Sequence, residues 1–152
     1  MQKKLPLVSE LPIHDEYEAV NETMSVLEAT RLMKNRDITD LVVVSEDHKL
    51  IGIVMESDII RKVIAVEKDP KQVTMKQIME VIDPLSDETD VITATQTLID
   101  REVPIIPIVQ KSDQKLLGVL TINDCLLALK EFELYASKTD EENEMEWQSG
   151  MI

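Results

Sequence analysis

One cysteine, Cys125, stands in the whole chain, so no intrachain disulfide can form and no CxxC knuckle can hold zinc. A reducing, cytoplasmic address is the expectation. His14 and His48 are the only histidines, and they share no metal-ligand spacing. Aromatic residues are nearly as scarce: Tyr17, Phe132, Tyr135 and Trp147 make up 3% of the 152 residues. The core must therefore come from Val, Ile, Leu and the 8 Met. Bases are outnumbered, 16 Lys and Arg against 30 Asp and Glu, which leaves a formal charge of −14. Such a field repels phosphodiester backbones and anionic lipid, so neither nucleic acid nor a membrane surface is expected as a partner. No apolar run approaches the roughly 20 residues that a bilayer-spanning helix needs. The opening Met1-Gln-Lys-Lys-Leu-Pro6 has no apolar segment of the secretory kind. What is present, 43% hydrophobic and 30% charged residues, suits one compact folded unit or two very small ones.

The chain repeats itself. A shift of 65 carries Val26 onto Val91, Ala29-Thr30 onto Ala94-Thr95, Arg36 onto Arg101, and Val43-Val44 onto Ile108-Val109. A shift of 66 then carries Asp47 onto Asp113, Lys49 onto Lys115, Gly52 onto Gly118 and Asp58 onto Asp124. The extra residue falls among turn-formers between two apolar runs, where an insertion disturbs a hairpin least. Each copy predicts a short extended lead-in (Glu18 to Val20; Pro84-Leu85). A helix follows, about Ser25 to Asn35 and about Asp90 to Asp100. Then come two β-branched runs joined by a polar turn (Leu41 to Val44 and Leu50 to Val54; Ile106 to Val109 and Leu116 to Leu120). A last helix starts near Ser57 and near Asn123. Its expected buried residues are Ile59, Ile60, Val63 and Ile64 in one copy, and Leu126, Leu127 and Leu129 in the other. The fold class is therefore α+β, as two tandem β-α-β-β-α repeats packed through their sheets with pseudo-two-fold symmetry. The repeats span residues 9–68 and 74–133. Between them Val66 to Val73 is a charged linker whose Pro70 stops the preceding helix, and a helical turn follows at about Thr74 to Met79. Residues 136–152 hold Asp140, Glu141, Glu142, Glu144 and Glu146 against Lys138, and read as an acidic, solvated, frayed tail.

With that unit drawn, the chain resembles a tandem pair of CBS (cystathionine-β-synthase) domains, the stand-alone arrangement often called a Bateman module. The likeness covers about residues 9–133. It is carried by Ile38-Thr-Asp-Leu-Val-Val-Val44 with Leu50-Ile-Gly-Ile-Val-Met-Glu-Ser-Asp58. In the second copy it is carried by Val103-Pro-Ile-Ile-Pro-Ile-Val109 with Leu116-Leu-Gly-Val-Leu-Thr-Ile-Asn-Asp124. Lys76-Gln-Ile-Met79 resembles the usual lead into such a domain, with Pro12-Ile-His14 in that place in the first copy. The resemblance implies a regulatory sensor that binds AMP, ADP, ATP or S-adenosylmethionine in clefts between the copies, with no obligatory cofactor. It further implies that the aspartate takes the ribose hydroxyls while Ser/Thr residues sit near ribose and phosphate. Carried over, the first copy supplies Gly52, Ser57 and Asp58, with Met55 in place of one hydroxyl. The second supplies Gly118, Thr121 and Asp124, with Asn123 in place of the other.

The chemistry has a physical basis apart from the family. A carboxylate at a helix start can accept both hydroxyls of a cis-diol, and the first-turn N–H groups favour a phosphate nearby. Arg61 and Lys62, one turn past Asp58, are candidate phosphate partners. Each of these residues has a structural reading as well. Ser57 and Asn123 suit an N-cap, Asp58 and Asp124 a first turn, and Gly52 and Gly118 tight strand crossings. Arg36 and Arg101 lie near helix C-termini, where cations complement the dipole. Cys125 sits among apolar helix residues as a buried inert thiol. No Ser-His-Asp set, phosphate-binding glycine loop or metal cluster is present, so no enzyme activity is expected. A homodimer formed through amphipathic helices and an unknown regulated protein are the expected partners. The alternative is an interaction module whose clefts stay empty and whose helices and acidic tail dock partners, with Trp147 as an anchor.

Overall fold

The computed structural model describes residues 4–14 and 17–150, the side chains of 139, 142, 143 and 146–149 excepted. Met1–Lys3 of the opening stretch, and the side chains of Glu142, Glu146 and the expected anchor Trp147, lie outside the described residues. Each copy builds a three-stranded sheet. In the first, β1 (Ala19–Asn21) runs parallel to β2 (Asp40–Val44), which returns antiparallel as β3 (Leu50–Met55). In the second, β4 (Leu85–Ser86), β5 (Ile105–Val109) and β6 (Leu116–Thr121) repeat that order. Val43 pairs with Gly52 and Ile108 with Gly118, and both hairpins slip register at the next residue. The same bulge at the same place in both copies marks a shared backbone path.

The helices between the strands are capped alike. Ser25 opens α1 (Val26–Arg36): its Oγ accepts the Glu28 N–H at 3.2 Å, and Glu28 reaches back to the Ser25 N–H at 3.3 Å. Asp90 opens α4 (Val91–Asp100) by accepting the Thr93 N–H at 2.9 Å. With only 3 glycines available, the left-handed residues that close these helices are Asp37 (φ 55°) and Glu102 (φ 54°). Left-handed backbone recurs at the hairpin tips, at His48 and Gln114. The duplicated arginines do more than face a helix dipole. Arg36 Nε pairs with Glu18 at 3.3 Å and Arg101 donates to the Asp83 carbonyl at 2.7 Å, so each ties its helix end to the approach to its sheet.

The last helix of the first copy, α2 (Glu56–Ile59), widens into a π-helical turn over Ile60–Ile64. That turn corrects the expected stripe: Ile59 and Val63 are buried, whereas Ile60 and Ile64 are exposed. In the second copy Cys125 is buried and Leu129 packs on the core, while Leu126 and Leu127 are exposed. The stop also falls earlier than Pro70, since Glu67 is left-handed (φ 56°) and the Lys68 N–H bonds the Val63 carbonyl at 3.0 Å. The second copy's α5 (Ile122–Ser149) corrects the frayed-tail expectation, because the helix runs unbroken through the acidic stretch. From Glu131 onward its described side chains are exposed except Phe132.

The two copies exchange their leading segments. Residues 6–13 lead into the first copy in sequence yet pack on the second: Val8, Leu11 and Ile13 join Val91, Leu98, Ile106 and Leu120 in one core. Residues 73–80, with α3 (Met75–Ile78), open the second copy in sequence yet pack on the first: Val73, Met75 and Ile78 join Val26, Leu41 and Val54. Most of their backbone bonds correspond, the exception being that the Glu80 N–H bonds the Ile53 carbonyl whereas the Ile13 N–H bonds that of Leu11. The Val8 N–H bonds the Thr89 carbonyl and Met75 N–H that of Met24; the Val91 N–H bonds the Pro6 carbonyl and Val26 N–H that of Val73. Even the caps match, since the Leu7 N–H donates to Glu10 at 2.7 Å and the Thr74 N–H to Gln77 at 2.9 Å. The sheets themselves meet in a third cluster, Val42, Val44 and Ile53 against Ile105 and Val119.

Candidate functional site

Asp58 and Asp124 occupy equivalent places in the first turn of α2 and α5, and each reaches back to the last residue of the preceding strand. Asp58 Oδ2 accepts the Met55 N–H at 2.9 Å. Asp124 Oδ2 accepts the Thr121 N–H at 3.0 Å and the Thr121 hydroxyl at 2.7 Å, while the Asp124 N–H donates to that hydroxyl at 3.1 Å. Reciprocal bonding of this kind satisfies helix N–H groups that would otherwise lack a partner. The capping residues are therefore Met55 and Thr121, two residues earlier than Ser57 and Asn123. Thr121 already engages its hydroxyl in that cap.

Gly52 and Gly118 serve the exchanged segments. The Ile53 N–H bonds the Glu80 carbonyl at 2.9 Å, and the Val119 N–H bonds the Ile13 carbonyl at 2.9 Å. A Cβ on Gly52 would lie 2.7 Å from the Glu80 carbonyl oxygen, and one on Gly118 only 1.8 Å from that of Ile13. Neither glycine adopts positive φ; what each provides is room for another backbone.

The two aspartates then part company. Asp58 is buried, and its Oδ1 faces Lys62 Nζ at 3.1 Å. The same ammonium donates to the Ile78 carbonyl at 2.8 Å and bonds Glu80. Burial works to lower the Lys62 pKa, but the hydrogen bonds and charges of Glu80 and Asp58 outweigh it and hold the pKa above the ordinary 10.5. Lys62, read from the sequence as a phosphate partner, is here paired with Asp58 instead, and an Asp and a Lys four apart on a helix are a recognisable pair. Arg61, its neighbour and fellow candidate, is exposed and has no ion-pair partner among the described residues.

Asp124 has no such partner. The position equivalent to Lys62 is Ala128, and beside it opens a cavity of about 230 Å³ lined by Leu11, Asp124, Ala128, Glu131 and Phe132, among others. Asp124 Oδ1 has no bonding partner among the described residues. Of the site residues expected from the sequence, Asp124 lines this cavity. A second cavity of about 580 Å³, at the start of β2, is walled by Tyr17, Glu18, Arg36 and Thr39 and by none of those expected residues. It adjoins the start of α2, because the Glu56 N–H bonds the Thr39 carbonyl at 3.0 Å. Cys125 is fully buried and burial raises its pKa above the ordinary 9.0, as suits a structural thiol. Among the described residues no cluster of His, Cys, Asp or Glu is placed to hold a metal ion, and no helix is long and apolar enough to cross a membrane.

Such a doubled sheet-and-helix unit, with an aspartate opening the last helix of each copy, defines the pair architecture of the CBS domain. The chain belongs to the CBS domain family, whose pattern matches residues 8–65 and 73–131. An uncharacterized protein of Methanopyrus kandleri is 29% identical over 127 residues, 83% of this chain and 62% of that protein. A homoserine O-acetyltransferase of Methanohalobium evestigatum is 31% identical over 125 residues, but these are 82% of this chain and 24% of that enzyme. The chain thus spans less than two thirds of these curated relatives. Among solved structures, an uncharacterized conserved protein of Pyrococcus horikoshii superposes with TM-score 0.69 at 26% identity, over 80% of this chain and 90% of that one. CBSX2, solved in complex with AMP, superposes with TM-score 0.68 at 22% identity, over 84% of this chain and 98% of that one.

Proposed function

We propose that this chain is a regulatory, non-catalytic module of the cytoplasm that binds an adenosine-containing ligand between its halves and transmits occupancy to a partner protein. The observation that carries the reading is Asp124: a carboxylate fixed through one oxygen at a helix start, its other oxygen without a bonding partner among the described residues, on a residue that lines a cavity. A ribose diol needs that arrangement, and the apolar walls of Leu11 and Phe132 suit a purine. The cavity lies between α5 and the exchanged segment 6–13, so a ligand there touches both the second copy and the chain leading into the first. Ligand that favours one placement of that segment shifts the population a partner reads. AMP, ADP, ATP and S-adenosylmethionine are the candidates. Under this reading ligand at about 100 times its dissociation constant adds roughly 2.7 kcal/mol of stability. Asp124→Asn lowers affinity about tenfold to a hundredfold, or 1.4–2.8 kcal/mol. Thermal unfolding with each candidate tests it, and a melting temperature unmoved by all of them rejects it.

One observation favours a second reading, that of an interaction module with empty clefts: Lys62 already neutralises Asp58 from within. That reading is the one left standing if no adenosyl compound binds.

A further inference from the structure

Comparison of the two copies at one position points to the chemistry of the ligand. In the first copy a lysine side chain runs back along its own helix and places its ammonium on Asp58 Oδ1, the Ile78 carbonyl and Glu80. In the second copy the carboxylate and the covering segment are reproduced, although the helix there is α rather than π and the Ile13 N–H bonds the Leu11 carbonyl where the Glu80 N–H bonds that of Ile53. Asp124 stands for Asp58, and Leu11 of the exchanged segment stands for Ile78. The lysine is not reproduced. Ala128 ends at its Cβ, and with Asp124 and Leu11, the counterparts of Asp58 and Ile78, it lines a cavity.

We infer that this cavity is a binding site for a primary ammonium group, seated on Asp124 Oδ1 as the Lys62 ammonium is seated on Asp58 Oδ1. Three features of the lining agree. Glu10 and Glu131 stand with Asp124 in the wall, and no Lys or Arg does. Leu11 brings a carbonyl that bonds the Ile13 N–H at 2.8 Å and has a second lone pair. The rest of the wall, including Pro12, Leu127 and Phe132, is apolar and suits the carbon body that carries the amine. Phosphate meets three carboxylates and no base there, in a chain of charge −14. Resting on the adenosyl-sensor reading, the inference selects S-adenosylmethionine, whose amino acid part bears an ammonium, over AMP, ADP and ATP. A lysine side chain of a partner protein offers the same group from another source.

The test is calorimetric titration of the full chain with S-adenosylmethionine, AMP, ATP and Nα-acetyllysine methylamide. The same titrations are repeated on Ala128→Lys, which rebuilds the internal ammonium, and on Asp124→Asn. S-adenosylmethionine binding at least tenfold tighter than AMP and ATP, and lost in both variants, is the expected result. Binding of the lysine analogue alone upholds the ammonium site, makes a protein lysine its source, and rejects the adenosyl sensor. AMP or ATP binding tightly while both amines fail rejects the ammonium site and leaves the sensor. Amine binding unchanged in Ala128→Lys and Asp124→Asn also overturns the inference, as does the absence of any binding.

Discussion

Asp90 shows how much a single carboxylate contributes when the backbone is arranged around it. It accepts both the N–H and the hydroxyl of Thr93, at 2.9 and 2.7 Å. The backbone bond from Thr93 is the largest influence on its pKa, the hydroxyl adds to it, and together they hold it below the ordinary 3.8. A carboxyl whose pKa is lower in the folded state stabilises above its unfolded value, and the contribution disappears as pH falls through the folded one. Asp90→Ala is expected to cost about 1 kcal/mol at neutral pH. Urea unfolding between about pH 5 and pH 2 checks the sign: the wild-type advantage over Asp90→Ala shrinks as acid is added. An advantage independent of pH would show that the cap does not act through its charge. Gly118 makes the opposite kind of point, since its value lies in what is missing. A methyl there meets the Ile13 carbonyl oxygen at 1.8 Å, so Gly118→Ala must push segment 6–13 off β6. A loss of about 3 kcal/mol in urea unfolding is the expectation.

At the scale of elements, the repeated helices and hairpins were legible because each is a periodic run of several residues, and the doubling made every pattern visible twice. The exchanged segments were not. Leu7-Val-Ser-Glu-Leu-Pro-Ile13 and Thr74-Met-Lys-Gln-Ile-Met-Glu80 have no residue type in common at equivalent places. Their helical turns are also too short to show a period. Which copy a segment covers is a long-range choice that local pattern does not encode. Composition misled over α5, where acidic residues suggested fraying but helix-compatible Glu, Ala and Lys continue the turn. For the proposed site, the equivalent places of the aspartates and glycines were legible from the doubling, whereas the ion pair that turns Lys62 onto Asp58 was not, since Arg61 and Lys62 alike read as phosphate partners. The exchange has a consequence that local reading would not suggest. Val8 is fully buried in the core of the second copy, so Val8→Ala is expected to weaken that copy by about 1–3 kcal/mol. Amide hydrogen exchange should speed up in β5 and β6 more than in β2 and β3. Faster exchange confined to β2 and β3 would place the segment on the wrong half.

For the whole molecule, the apolar residues left outside follow the duplication too. Ile60 and Leu126 are equivalent and both are more than half exposed, and Ile64, Leu127 and Leu134 add to the same helices. Such exposure on paired helices is the basis for expecting a homodimer. Sedimentation equilibrium should return twice the 17.3 kDa of one chain, and Ile60→Glu with Leu126→Glu should halve it. A monomer in the unaltered protein would assign those helices to another partner.

The difference between the halves matters most for what the protein does. One aspartate is held by a lysine of its own helix, while its twin looks onto a cavity closed by an alanine and a borrowed segment. A crystal structure grown with S-adenosylmethionine examines that asymmetry most directly. The expected result is ligand density in the cavity, with the amine against Asp124 Oδ1 and none beside Asp58. Density at Asp58 with Lys62 displaced, or density that leaves Asp124 untouched, would contradict the account.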